Sequence, residues 1–236
     1  MKKFELTAEF VTNVFGKKLF RIKALVAFGN VEKGELGGFI EKEDNLSHSG
    51  DAWVSGNAWV SGNAWVSGNA QVSGNAWVFG NARVSGNARV FGDAWVSGNA
   101  QVSGNAQVSG DAWVSGNAWV SGNAWVFGNA QVSGNAQVSG NAWVSGNARV
   151  SGNADYAVVA GFGRYFRTTT FFRCKDKILR VQCGCFYCDL AQFREIVKKT
   201  HGNSKYAKEY LAIADLMELH FSDKCGGEQM NDGKIY

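Results

Sequence analysis

Through the middle of the chain, hydrophobic and polar positions recur every six residues. From 52 to 153 the word Ala-x-Val-(Ser/Phe)-Gly-(Asn/Asp) occurs seventeen times without a gap. Ala and Val stand two apart, so in an extended strand they face the same way, while the residue between them faces the other way. Gly-Asn supplies a corner, because both residues tolerate the left-handed backbone region that a tight turn needs. A period this short and this sustained predicts a stacked solenoid. Ala and Val fill a narrow interior of constant volume. Only the outward letter varies freely, and it is Trp, Gln or Arg. "LSHSGD" at 46–51 reads as a degraded eighteenth copy, with His48 in the inward Val slot as a capping residue.

After "ADYAVVAGFGRYFR" the pattern changes. Segments 168–175 and 178–183 read as two strands joined at "KDK" into a hairpin. "DLAQFREIVKKTH" carries Leu190, Phe193, Ile196 and Val197 at helical spacing, with Asp189 as N-cap and "GN" at 202–203 as a stop. A second helix is expected in "SKYAKEYLAIADLMELHF", with Tyr206, Tyr210, Ile213, Leu216 and Met217 on its apolar side. A ββαα unit of this size is suited to closing the open end of a solenoid. The expected division is an N-terminal cap at 1–45, a solenoid at 46–160 and a C-terminal domain at 161–236.

Val with a small residue two positions before it and Ser-Gly-Asn after it resembles the hexapeptide-repeat superfamily. That resemblance implies a mainly β fold, a left-handed parallel β-helix in which three words make one 18-residue coil. The segment 19–54 is similar to the N-terminal cap of bacterial and phage transferase-hexapeptide-like proteins. The likeness spans about 15–153, and the C-terminal region is similar to tails on phage and prophage proteins of gut bacteria. Three words per coil implies about six coils, a stack on the order of 25–30 Å at the usual strand spacing. A β cap would precede it and a small α/β cap would follow it.

With that coil size, Trp59, Trp77, Trp95 and Trp113 fall on one face in successive coils. Stacked indoles offer a platform for a flat ligand such as a base or sugar, or for a partner protein. They also serve simply to stabilise the stack. Residues 51–76 and 111–136 are identical except for Ser67 against Phe127, an internal duplication displaced by 60 residues. Ten words is not a multiple of three, so the duplicate lands one face over. A generic surface survives such an event better than a pocket tied to one face. Four exposed Trp in a row would still require a partner protein, a second copy or docking of the C-terminal region.

Composition narrows the function classes. The net charge is +4, and the array from 51 to 153 holds three basic and three acidic residues. A neutral array argues against nucleic-acid binding. The N-terminus has no apolar h-region and no run reaches the length of a membrane span, so a cytoplasmic protein is expected. All five Cys lie at 174–225, which suits a reducing setting. Cys174, Cys183, Cys185 and Cys188 could hold zinc in a tetrahedral shell, or could serve as small buried core residues. No other cofactor is expected.

Many hexapeptide-repeat proteins are acyltransferases that use a His as general base, but this array contains none. Its acids, Asp51, Asp93 and Asp111, read as substitutes for corner Asn. The expected function is therefore a non-catalytic binding or scaffolding solenoid. It would act as a phage or prophage accessory protein that binds a host or phage protein through Trp59, Trp77, Trp95 and Trp113, with self-association as another use of the same surface. One alternative is a small-ligand binder that holds a nucleotide or sugar on aromatic ranks beside Arg83, Arg89 or Arg149. The other is an acyltransferase-like enzyme at the C-terminal cap, for which His201 or Cys185 would be the residue to mutate.

Overall fold

The computed structural model describes residues 2–222, and Cys225 lies outside the described residues. The chain opens with an antiparallel hairpin of β1 (Phe4–Thr12) and β2 (Lys18–Ala24), and β3 (Leu36–Ile40) joins β2 antiparallel. Strand β3 then runs parallel to the repeat, Phe39 opposite Trp59 and Ile40 opposite Val60. Seventeen two-residue strands follow, β4 to β20, from Trp53–Val54 to Arg149–Val150, each the x-Val pair of one word.

Every pairing within the array is parallel and joins a strand to the one eighteen residues away, as in Trp59–Trp77 and Arg83–Gln101. Three words therefore make one turn, and the stack is a β-solenoid of about six turns with three faces. All seventeen Val and all seventeen Ala of the words are at most 1 % exposed. The interior is thus a continuous apolar column, and its narrowness is why no larger residue replaces either letter.

The corners stack as well. Asn69, Asn87, Asn105, Asn123 and Asn141 pass one hydrogen bond up a corner, Nδ2 to Oδ1, at 3.0 Å per step. An amide can accept from below and donate above, so the chain of bonds continues indefinitely. At another corner Asp93 accepts from Asn75 (2.9 Å). Having no donor, it ends that ladder.

The N-terminal end of the stack is closed by side chains that replace a missing coil. Asn45 is fully buried, and its amide donates to Gly62 O (3.1 Å) and Ala64 O (2.8 Å). Lys3 does the same at another corner, donating to Gly50 O (3.1 Å) and Ala52 O (2.8 Å). The expected slot for His48 needs correction. Leu46 bridges Val66 and is buried, so Leu46 occupies the inward position. His48 belongs to a two-residue insertion, stacked on Phe4 at 4.3 Å with Nδ1 accepting from Lys3 N.

Burial drives the Lys3 ammonium down from 10.5 to about 8, partly opposed by the charge of Asp51. The sign follows from linkage. Between pH 8 and 10.5 the unfolded chain binds the proton more tightly, so this group's contribution to stability rises with pH across that window. The difference in denaturation midpoint between wild type and Lys3→Met should therefore shift in favour of wild type from pH 8 to 10.5. A flat difference would contradict the assignment.

At the far end β21 (Tyr156–Val159), β22 (Thr169–Arg173), β23 (Leu179–Cys183) and β24 (Phe186–Asp189) form a four-stranded antiparallel sheet, followed by α1 (Leu190–His201) and α2 (Lys205–Ser222). The expected ββαα unit thus lacked two strands, both short. Asp189 caps α1 as expected, accepting from Gln192 N (2.8 Å). One sheet face closes the column, with Phe172 and Cys174 continuing its core. Trp143 N donates to Thr170 Oγ1 (3.0 Å), and Tyr187 packs into the corner at Gly146.

The other sheet face packs against the helices through Phe171, Val181 and Cys188. On α2 the buried side is Ala207, Tyr210, Ile213, Ala214, Met217 and Phe221. Tyr206 and Leu216 are exposed, against expectation, because the stripe in contact with the sheet runs through the two alanines. Among the described residues no helix is long and apolar enough to cross a membrane.

Candidate functional site

The word geometry places Trp59, Trp77, Trp95 and Trp113 at equivalent outward positions of one face, each directly opposite the next. The strand spacing and the width of an indole then favour parallel stacking. Ring centroids are 4.7, 4.9 and 5.0 Å apart, with interplanar angles of 12°, 6° and 2°. Phe79 adds an edge-on contact to Trp95 at 6.0 Å. The face continues through Gln131 to Arg149.

Register alone does not produce this arrangement. On the second face Trp125 and Trp143 are also opposite one another, yet they meet edge-on at 82°. There Phe127 lies 5.0 Å from Trp125, and Trp125 Nε1 donates to Ser109 Oγ (3.2 Å). Trp119 on the third face is likewise tied to Ser103 Oγ (3.1 Å). Trp53, expected to look outward on the second face, is 2 % exposed. It lies under the N-terminal cap, edge-on to Phe28 at 5.4 Å.

The stacked face has consequences for what it can bind. Each inner indole has both ring faces covered by neighbours, so a flat ligand cannot slip between them without opening the strand ladder. What remains accessible is a ribbon of indole edges, and of the four Trp expected to be exposed only Trp113 is, while Trp59, Trp77 and Trp95 are half-buried. The tip of the β1–β2 hairpin overhangs this ribbon, so that Asn13, Val14 and Phe15 form a groove with Trp59, Trp77 and Trp95. Val14 and Phe15 are 79 % and 75 % exposed. No feature of the hairpin sequence marks it as part of a site, since its place above the ladder depends on how β3 docks.

Of the three arginines expected beside aromatic ranks, two lie off the stacked Trp face. Arg83 is on the third face, 6.0 Å from the Trp65 ring, and Arg89 is on the second, 5.5 Å from the Phe91 ring. Neither shares a face with the stacked Trp, whereas Arg149 does.

The cysteines are dispersed. Cys174 sits at the end of the solenoid column and Cys188 in the core under the helices, on opposite sides of the sheet. Cys183 accepts from Thr169 Oγ1 (3.3 Å), and Cys185 is exposed in the two-residue turn with Gly184. That turn breaks the alternation that would have aimed Cys183 and Cys185 the same way. Among the described residues no three His, Cys, Asp or Glu side chains converge as a metal-ligand group. Of the two readings open for Cys174, Cys183, Cys185 and Cys188, the described residues thus do not bring the four thiols together as a shell. Burial pushes the Cys188 thiol up to about 11, aided by the charge of Asp189, and burial also raises Cys174. Both are neutral thiols at pH 7 and fill space as small core residues.

A cavity of about 140 Å³ opens between the helices and the loop that follows β21. His201 lines it, and so does Cys183, whereas Cys185 does not. Arg164, Tyr165 and Arg167 lie at its mouth. The run "GRYFR" displays these residues in sequence, but only the packing of α1 and α2 turns them toward a common space.

The fold and the surface together define a β-solenoid repeat protein. Its array is similar to the family described as YdcK beta solenoid repeat, whose profile matches residues 52–68, 70–85, 82–98, 100–116, 106–122 and 130–146. No curated protein sequence matches the chain.

Proposed function

We propose that the chain is a non-catalytic binding protein, a left-handed β-helix of the hexapeptide-repeat class that presents its stacked Trp face to a partner protein. The observation that carries this reading is the run of four parallel indoles 4.7 to 5.0 Å apart beside the exposed hairpin tip. Rigid, pre-stacked aromatic edges lose little entropy on binding, and Trp dominates the energetics of protein interfaces. A long flat ribbon suits a protein surface better than a small molecule, because the ring faces a base or sugar would need are already covered. An 18-residue turn of three words supports the hexapeptide class. The array offers no His as general base, which favours binding over acyl transfer. The similarity of cap and tail to phage and prophage proteins points to a host factor as the partner.

The test is a pull-down with the purified chain and with a Trp77→Ser/Trp95→Ser variant, each checked by circular dichroism. The partner is identified from the wild-type eluate and its affinity then measured. Loss of two hot-spot indoles should weaken binding at least about 100-fold with the β signal retained. Unchanged affinity for the identified partner would show that the ladder only stabilises the stack.

A further inference from the structure

We propose that the cavity between α1, α2 and the loop at 160–168 is a separate binding site for a small organic carboxylate whose apolar body is about the size of one ring. The inner wall is apolar, built from the buried Phe193 and Val197, with the exposed Phe186 adding an apolar edge. An apolar cavity of about 140 Å³ is close to the volume that accommodates a benzene-sized group. The mouth has the opposite character. Arg164 and Arg167 lie 5.5 and 5.2 Å from the ring centre of Tyr165. Among the described residues neither pairs with a carboxylate, although Arg173 and Arg194 nearby are both engaged.

Two guanidinium groups at the rim of an apolar hole match a ligand that is anionic at one end and greasy at the other. The planar fork of Arg fits a carboxylate with two parallel hydrogen bonds. Further in, the Tyr210 hydroxyl donates to Phe162 O (3.4 Å), and His201 stacks on the Tyr210 ring at 5.9 Å. Burial holds that hydroxyl protonated, so it adds no negative charge to repel the ligand. The loop that carries these arginines is also strained. Phe166, between Tyr165 and Arg167 in the chain, has φ of +50°, a conformation that an aromatic residue rarely adopts and that tends to mark ligand clamps. This site is on the C-terminal unit and is independent of the Trp face.

Calorimetric titration of the full chain with phenylacetate and benzoate tests the assignment, with 2-phenylacetamide as the neutral isostere. Saturable binding of a carboxylate is expected, at least tenfold weaker for the amide and at least tenfold weaker in Arg164→Gln and Arg167→Gln. Both arginines are exposed, so these variants keep the fold. Absence of saturable binding by either acid would overturn the proposal, as would equal affinity for acid and amide, or for wild type and both variants. Phenyl phosphate binding tenfold tighter than phenylacetate would overturn the choice of a carboxylate.

Discussion

Gly98→Ala should cost about 2–5 kcal/mol of unfolding free energy, while Gly140→Ala should cost only about 1–2 kcal/mol. Both corners have φ of +67°, so the left-handed backbone penalty is shared. They differ in what lies above them. A Cβ on Gly98 would come within 3.0 Å of the backbone N and O of Gly116, the next corner in the stack. A Cβ on Gly140 would meet nothing within 4 Å. The excess at Gly98 is therefore the cost of separating two backbones that the strand ladder holds together. Denaturant titration of the two variants measures it. Equal losses would mean that glycine is required for backbone conformation alone and that the corners are not packed on one another.

Asn45→Asp should be the most damaging conservative change at the N-terminal end, costing about 3–5 kcal/mol at pH 7. Asn45 is fully buried and supplies two donors to carbonyls that have no coil beneath them. A carboxylate of the same shape supplies none and places negative charge against two carbonyl oxygens. Its folded-state pKa would be raised above the unfolded value of about 3.9, because the protonated form alone can donate. The penalty is then complete above the folded pKa and relieved as pH falls toward 4. Asn45→Ala should cost about 2–3 kcal/mol with no such pH dependence. Stability curves of the two variants between pH 4 and 8 distinguish them. A pH-independent Asn45→Asp would show that the amide does not close the ladder.

The array was legible because its period carries its geometry. Two inward letters, one outward letter and a corner follow from strand alternation and the turn chemistry of Gly-Asn, and they apply at all seventeen copies. The edges of the array were not legible for the same reason. Leu46, Phe39 and Ile40 occupy inward and outward slots without matching the word, since a lag of twenty residues replaces eighteen where the chain is bulged. In the C-terminal sheet, β21 and β24 are four residues each, too short for an alternating pattern to register. The Trp ladder follows from the spacing once three words make one coil. Whether the rings would lie parallel, as at Trp77, or edge-on, as at Trp143, depends on neighbours such as Phe127 and Ser109 that only packing brings into contact. The pocket at Arg164 and Arg167 had no local signature at all, because its walls come from elements up to 46 residues apart in the chain (Gly163 N donates to Glu209 Oε2, 2.9 Å).

Three words close one turn, so that residues eighteen apart are neighbours on one face. Oxidative cross-linking of paired cysteines tests it directly. In Arg83→Cys/Gln101→Cys the two positions are paired on adjacent parallel strands, within the Cα separation that a disulfide spans. In Arg89→Cys/Gln101→Cys the positions are twelve apart and lie on different faces. Peptide mapping should find the 83–101 disulfide formed readily and the 89–101 disulfide absent. The reverse outcome would mean that two words make a turn, and the faces described for this solenoid would not exist.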